Sequence, residues 1–215
     1  MISNFNIDHA NGREFELPYR LIDQGVRQFR NGDVKNSLQL FDEAIELKPS
    51  VKPYLWQRGI SLYYENRFKE CSQQFHDDLL VNPADTEEII WGALCDSGRG
   101  LNNNGHDDDN TGIDRIEFSS LDRRPVMKLV YNVFKGTQDV QALLSLPITL
   151  ASDYFYSQLY TGLYYEYKGD PSEQSMLHIN LAADSSYCKG SNDYMCSVAS
   201  NHRKLRSAAA VVDGQ

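Results

Sequence analysis

The residues most able to do chemistry lie in an acidic stretch, Asp107-Asp-Asp-Asn-Thr-Gly-Ile-Asp-Arg-Ile-Glu-Phe118. Carboxylates at this density suit a hard cation such as calcium. A helix–loop–helix calcium loop needs Gly at its sixth position for the turn and Glu at its twelfth to close the coordination sphere. Counted from Asp107, Gly112 is sixth but Glu117 is eleventh, so the loop is one residue short. No second copy exists, and Arg99 to Gly105 does not read as an entering helix. The expectation is a solvated acidic loop with no metal. The five histidines, His9, His76, His106, His178 and His202, show no ligand spacing. There is no Gly-x-Ser-x-Gly, no phosphate-binding Gly-Lys-Ser/Thr loop and no His-Glu-x-x-His. Catalytic, cofactor and metal residues are therefore expected to be none, and the chain reads as a non-enzyme.

Of the four cysteines, Cys71 and Cys95 fall in apolar helical patterns and read as small buried hydrophobes. Cys188 and Cys196 are near enough for a disulfide, but reduced thiols are the favoured reading. No Cys-x-x-Cys is present, so zinc and thioredoxin-type chemistry have no support.

The elements that would position any site follow a 34-residue echo: Gly25 recurs as Gly59, Phe41 as Phe75 and Pro49 as Pro83. Leu21/Leu55 and Phe29/Tyr63 share the spacing. Each copy has two apolar stretches of helical period around a turn, Asn31-Gly32-Asp33 in the first and Asn66-Arg67 in the second. A mid-helix Gly costs about 1 kcal/mol against Ala, which makes sense where a neighbouring helix must come close. A third copy begins near Phe155, with Leu159, Gly162, Leu163 and Tyr167 before the turn Gly169-Asp170. One extra residue before Ser175 aligns its second helix with Ser37–Ala44.

This pattern resembles the tetratricopeptide repeat (TPR), a helix–turn–helix unit of that period. The resemblance implies an all-α, helical-hairpin solenoid with irregular central helices and a C-terminal capping helix over about Asp193 to Leu205. The expected organisation is an N-terminal extension over 1–17 and a TPR domain over 18–205. Its repeats fall at about 18–51, 52–85 and 155–188, with a polar insertion at about 98–121. A flexible tail covers 206–215. Between the second and third copies, Asp85 or Thr86 reads as a helix cap. Glu87 and Glu88 sit in the first turn, where the dipole favours acids.

In stacked repeats of this kind the first helix of each hairpin lines a concave groove that binds other proteins. The register places Tyr19, Ile22, Val26, Phe29 and Arg30 there, then Trp56, Ile60, Tyr63 and Tyr64, then Tyr156, Leu159, Leu163 and Tyr167. This aromatic, apolar face suits an amphipathic helix or apolar peptide more than a C-terminal carboxylate. The competing arrangement covers the face with the chain's own terminal helices. The formal net charge of −9 argues against nucleic acid. No apolar run reaches the length of a membrane span, and the start lacks a signal-peptide pattern.

A narrower resemblance is carried by Arg58-Gly-Ile-Ser-Leu-Tyr-Tyr-Glu-Asn-Arg67, Asp78-Leu-Leu80, Asn82-Pro-Ala-Asp85, Asp153-Tyr-Phe-Tyr156, Gly162, Tyr164-Tyr165 and Gly169-Asp170. These are similar to NlpI-like bacterial TPR adaptors. That implies a protein that dimerises and brings partners together. The chain departs from that pattern in lacking a lipidated N-terminal Cys and in its Asn/Asp-rich loop, so membrane anchoring and the bacterial partners do not carry over. Compartment stays unknown, with a plastid address an option if a presequence was removed. The functional expectation is a protein-interaction adaptor or assembly factor. The alternative is a constitutive subunit of a large complex, with an unrecognised enzyme third.

Overall fold

The computed structural model describes residues 8–102, 122–169 and 173–213, with side chains over 16–98, 122–169 and 173–208. It is all-α, with no strand among the described residues. The helices are α1 (Asp8–Arg30), α2 (Val34–Leu47), α3 (Trp56–Tyr64), α4 (Phe68–Val81), α5 (Thr86–Asn102), α6 (Pro125–Phe134), α7 (Gln141–Leu144), α8 (Ala151–Tyr167), α9 (Glu173–Ala183), α10 (Ser186–Gly190) and α11 (Tyr194–Asp213), with a 3₁₀ turn at Pro49–Tyr54.

Three helical hairpins share one construction. A left-handed backbone turn follows each first helix, at Gly32 (φ +86°), Asn66 (φ +56°) and Gly169 (φ +73°). Gly and Asn are the residues that enter this region at low cost. Each turn lies seven residues after a helical glycine, Gly25, Gly59 and Gly162. Those glycines let the second helix come close. A Cβ on Gly25 would stand 2.7 Å from the Phe41 ring, and one on Gly59 2.7 Å from the Phe75 ring. On Gly162 it would meet Ile179 at 2.8 Å and the Ser175 carbonyl at 2.9 Å. Ile179 stands one residue further from its glycine than Phe41 and Phe75 do from theirs. Asp33 caps α2, its carboxylate accepting from the Asn36 N–H at 3.2 Å. At α8 the bond runs the other way along the chain: Asp153, inside the first turn, reaches back to accept from the N–H groups of Leu150 and Thr149. Successive hairpins are tied by the Ser37–Ser61 hydroxyl pair at 2.9 Å and by Arg58, which donates to Asp42 at 2.7 Å.

Several expected boundaries move. Helix α1 begins at Asp8 and runs through Pro18, so the part of the extension over 1–17 that is described is helical. Helix α5 continues to Asn102, into the stretch read as a polar insertion. It does so because its end packs. The Ser97 hydroxyl donates to the Tyr167 carbonyl at 2.8 Å, and Gly98 gives room to Phe68, whose ring a Cβ there would meet at 2.5 Å. The remainder of the insertion, including the candidate calcium loop at 107–118, lies outside the described residues. The tail expected over 206–215 is helical as far as Asp213. The cysteines are also corrected. Both pairs, Cys71–Cys95 and Cys188–Cys196, are disulfides, with Cα separations of 5.8 and 5.4 Å.

Helix α11 is not confined to the end of the stack. It packs on α9 and reaches back to α1, so the first and last hairpins meet through it.

Candidate functional site

Helix α11 packs against the side chains of α1 and α3 that were predicted to face a partner, and against Glu166 of α8 beside them. Tyr194, at the start of α11, stacks on Phe29 with ring centres 4.7 Å apart and meets Trp56 edge-on at 5.1 Å. Three turns further along α11, Arg206 lies over the Tyr63 and Tyr64 rings at 5.6 and 5.8 Å and donates to Glu166 at 2.7 Å. Between them, Asn201 donates to the Phe29 carbonyl at 2.7 Å, and His202 Nδ1 faces the Tyr64 hydroxyl at 3.2 Å. Arg30 reaches the loop before α11, bonding the Asn192 side chain and carbonyl. Burial pushes the His202 pKa down to about 4, against the pull of Glu166 in the opposite direction. Its ring is therefore neutral at pH 7.

The residues expected to face a partner are accounted for as follows. Phe29, Ile60, Tyr63, Tyr64 and Leu159 are buried, and Tyr156 is buried with its hydroxyl donating to Asp193 at 2.8 Å. Tyr167 is half-buried against Phe134, at 5.2 Å between ring centres. Tyr19 is exposed and accepts from the Lys48 ammonium at 2.7 Å. Trp56 is half-buried. Of the two arrangements left open by the sequence, the covered one describes Phe29, Tyr63 and Tyr64, which the chain's own C-terminal helix meets. The physical reason is direct. A wide aromatic face in water gains by burial, and a tethered segment reaches it at high effective concentration.

One part of the groove stays open beside the start of α11. A cavity of about 250 Å³ lies there. Its apolar surfaces come from Ile60, Phe75, Trp91 and Met195, and Trp56 stands at its side. The remaining lining is Asp85, Glu87, Glu88 and Arg124. Asp85 caps α5, accepting from the Glu87 and Glu88 N–H groups at 2.9 and 3.2 Å. Arg124 is held between Glu87 at 2.6 Å and Asp122 at 2.9 Å. Burial raises the Glu87 pKa to about 7, although Arg124 pulls it down. Burial raises Glu88 further, to about 8, and its neighbours Asp85, Asp78 and Glu87 push the same way. Glu88 is only 8% exposed and its Oε2 has no hydrogen-bond partner; the Trp91 indole N–H, at 1% exposure, has none either.

The helix dipole explains Glu87 and Glu88 as first-turn acids but not the burial of Glu88. A sharper signal was available. Glu88 lies three and seven residues before Trp91 and Cys95, so it shares their buried face, where a carboxylate is out of place.

A second cavity, of about 220 Å³, lies where Tyr63, Phe68 and Tyr167 meet the Glu166–Arg206 pair. Among the described residues no group of His, Cys, Asp or Glu is placed to hold a metal ion, and no helix is long and apolar enough to cross a membrane. No family model matches the chain, and no curated protein matches it either.

Proposed function

We propose that this chain is a TPR-type adaptor that presents its hairpin stack to a protein partner and performs no chemistry of its own. The observation that carries the reading is the recurrence of one hairpin design. A close-approach glycine is followed seven residues later by a left-handed turn, three times, twice at a 34-residue period. Stacks of such units work by offering an extended surface. Here the partner meets the groove beside α11, at Trp56, or displaces α11 from it. The likeness to NlpI-like adaptors adds dimerisation to the reading. The test is quantitative affinity purification from native cells with the full chain and its Trp56→Ala variant. A partner retained by the first and lost by the second supports the reading. Identical partner sets with both would overturn the groove as the contact.

The alternative, a constitutive subunit of a larger complex, is favoured by large apolar side chains on the outside. Tyr54 is 67% exposed and Leu80 72%. If the native protein elutes only in a stoichiometric assembly and these side chains are protected there, the subunit reading replaces the adaptor.

A further inference from the structure

The cavity beside α11 carries an unbalanced charge. Of its acids, Asp85 is used by the α5 N-terminus, and Glu87 is paired with Arg124. Arg124 directs its remaining donors, Nε and Nη2, to the two carboxylate oxygens of Asp122 and has none directed at Glu88. Glu88 is left with one oxygen unpartnered, more than nine-tenths buried, in a cavity it lines. A buried polar group left in this state is unfavourable, and a ligand of the right charge would relieve it. The groups facing it are Asp78 from α4, Asp85 at the cap of α5, Glu87 beside it on α5, and Arg124 before α6; those acting on it electrostatically are acidic. Metal coordination is not the match, because the carboxylates do not converge. The aromatic and thioether surroundings, Trp56, Trp91, Phe75 and Met195, suit an organic cation with an apolar stem. The volume admits one side chain and is below that of a drug-sized site.

We propose that this cavity binds an alkylammonium or guanidinium group, the head of a lysine or arginine side chain on a protein partner, with Glu88 as its counter-ion and Trp56 and Trp91 beside its stem. The proposal deepens the adaptor reading and rests on it for the source of the cation. Burial otherwise keeps a proton on Glu88, and the entering cation takes that proton's place.

The probes are Nα-acetyl-lysine amide, Nα-acetyl-arginine amide, the uncharged Nα-acetyl-norleucine amide, n-butylammonium chloride and the tripeptide Ala-Lys-Ala. The chain has two tryptophans, so a comparison spectrum of Trp56→Phe assigns the Trp91 indole N–H, which then serves as the NMR reporter in the native chain. The expected result is a saturable shift of that signal with the lysine or arginine amide and none with norleucine. Glu88→Gln in the full chain should weaken binding by about tenfold or more, as loss of a charge-assisted hydrogen bond does. Binding of norleucine as tight as lysine, or unchanged lysine binding in Glu88→Gln, overturns the site. If Glu88→Gln does not fold, the lysine-against-norleucine comparison on the chain with native Glu88 decides alone. The source is read separately. Ala-Lys-Ala binding more tightly than n-butylammonium assigns the cation to a protein. Binding of n-butylammonium with no peptide binding keeps the cation site and removes the adaptor reading from it.

Discussion

The two parts of the groove differ in how α11 treats their polar groups. Under the length of α11 most polar groups are matched, although Glu166 keeps one oxygen and Tyr194 its hydroxyl without a hydrogen bond. Asn201 takes the Phe29 carbonyl, Tyr64 meets His202, and Arg206 meets Glu166. At its start, where Met195 is its only side chain lining the cavity, a carboxylate and an indole N–H are left without partners. A segment that evolved only to seal the groove would be expected to satisfy both parts. The contrast teaches that α11 completes the fold in one region and leaves a receptive surface in the other. The predictions below separate those roles, beginning with the largest effect.

Tyr194 belongs to both regions, stacked on Phe29 and edge-on to Trp56. Tyr194→Ala should cost about 3–5 kcal/mol, the usual range for a buried aromatic, read by chemical denaturation. A loss below about 1 kcal/mol would mean that α11 is not firmly seated and that the whole groove is available.

Next is the Cys188–Cys196 bond, which fixes α10 to the entry of α11 across eight residues of sequence. Closing so short a loop contributes about 2–3 kcal/mol by the chain-entropy relation. Reduction, or Cys188→Ser, should lower the melting temperature and increase exposure of the α11 amides to exchange. Equal exchange in both states would break the link between this bond and the seating of α11. Alkylation with mass analysis reads the bond directly.

Smaller again is Trp56→Ala. The ring is only half-buried, so the cost should be about 1–2 kcal/mol, below that of Phe29→Ala at about 3–5 kcal/mol. Equal costs at the two sites would show that Trp56 belongs to the sealed region and not to the open one.

Much of this architecture was legible in the sequence because it depends on local signals. The spacing of Gly25/Gly59 and Phe41/Phe75 encodes the hairpins, since a glycine under a ring constrains both positions at once. The extra residue before Ser175 was legible for the same reason. What escaped depends on contacts between distant segments. That Phe29 is met by Tyr194 and Asn201 is invisible to periodicity, because nothing in α1 distinguishes an aromatic awaiting a partner from one covered by the same chain. The end of α5 was lost to composition. Ser97 and Gly98 look like loop residues, yet they pack against Tyr167 and Phe68. The candidate site fell between these cases. Trp56 and Ile60 were picked out by register, whereas Glu88 was explained away by a helix dipole.

The smallest expected effect is also the most specific. Glu88 has a folded-state pKa raised to about 8, against about 4.3 when unfolded. Between those values the folded state holds a proton that the unfolded state has released. The stability associated with this group is therefore full below about pH 4 and declines as pH rises through 8. Glu88→Gln removes the titration and leaves the amide roughly isosteric. At pH 5 the variant should be close to the parent in stability. At pH 8 it should be the more stable by about 1 kcal/mol, the lower range for relieving an unmatched buried group. Taking the difference between the two proteins cancels His202, which titrates in both and does not act on Glu88; Glu87 and Asp78, which do, ionise more readily in the variant and shift the difference in the same direction. His202 moves the other way. Its depressed pKa of about 4 makes acid destabilising below about pH 6.5, so the parent's own pH curve mixes the two trends. A variant whose advantage shrinks from pH 5 to pH 8 would place Glu88 in a wet or paired environment. The open region of the groove would then be no different in kind from the part that α11 seals.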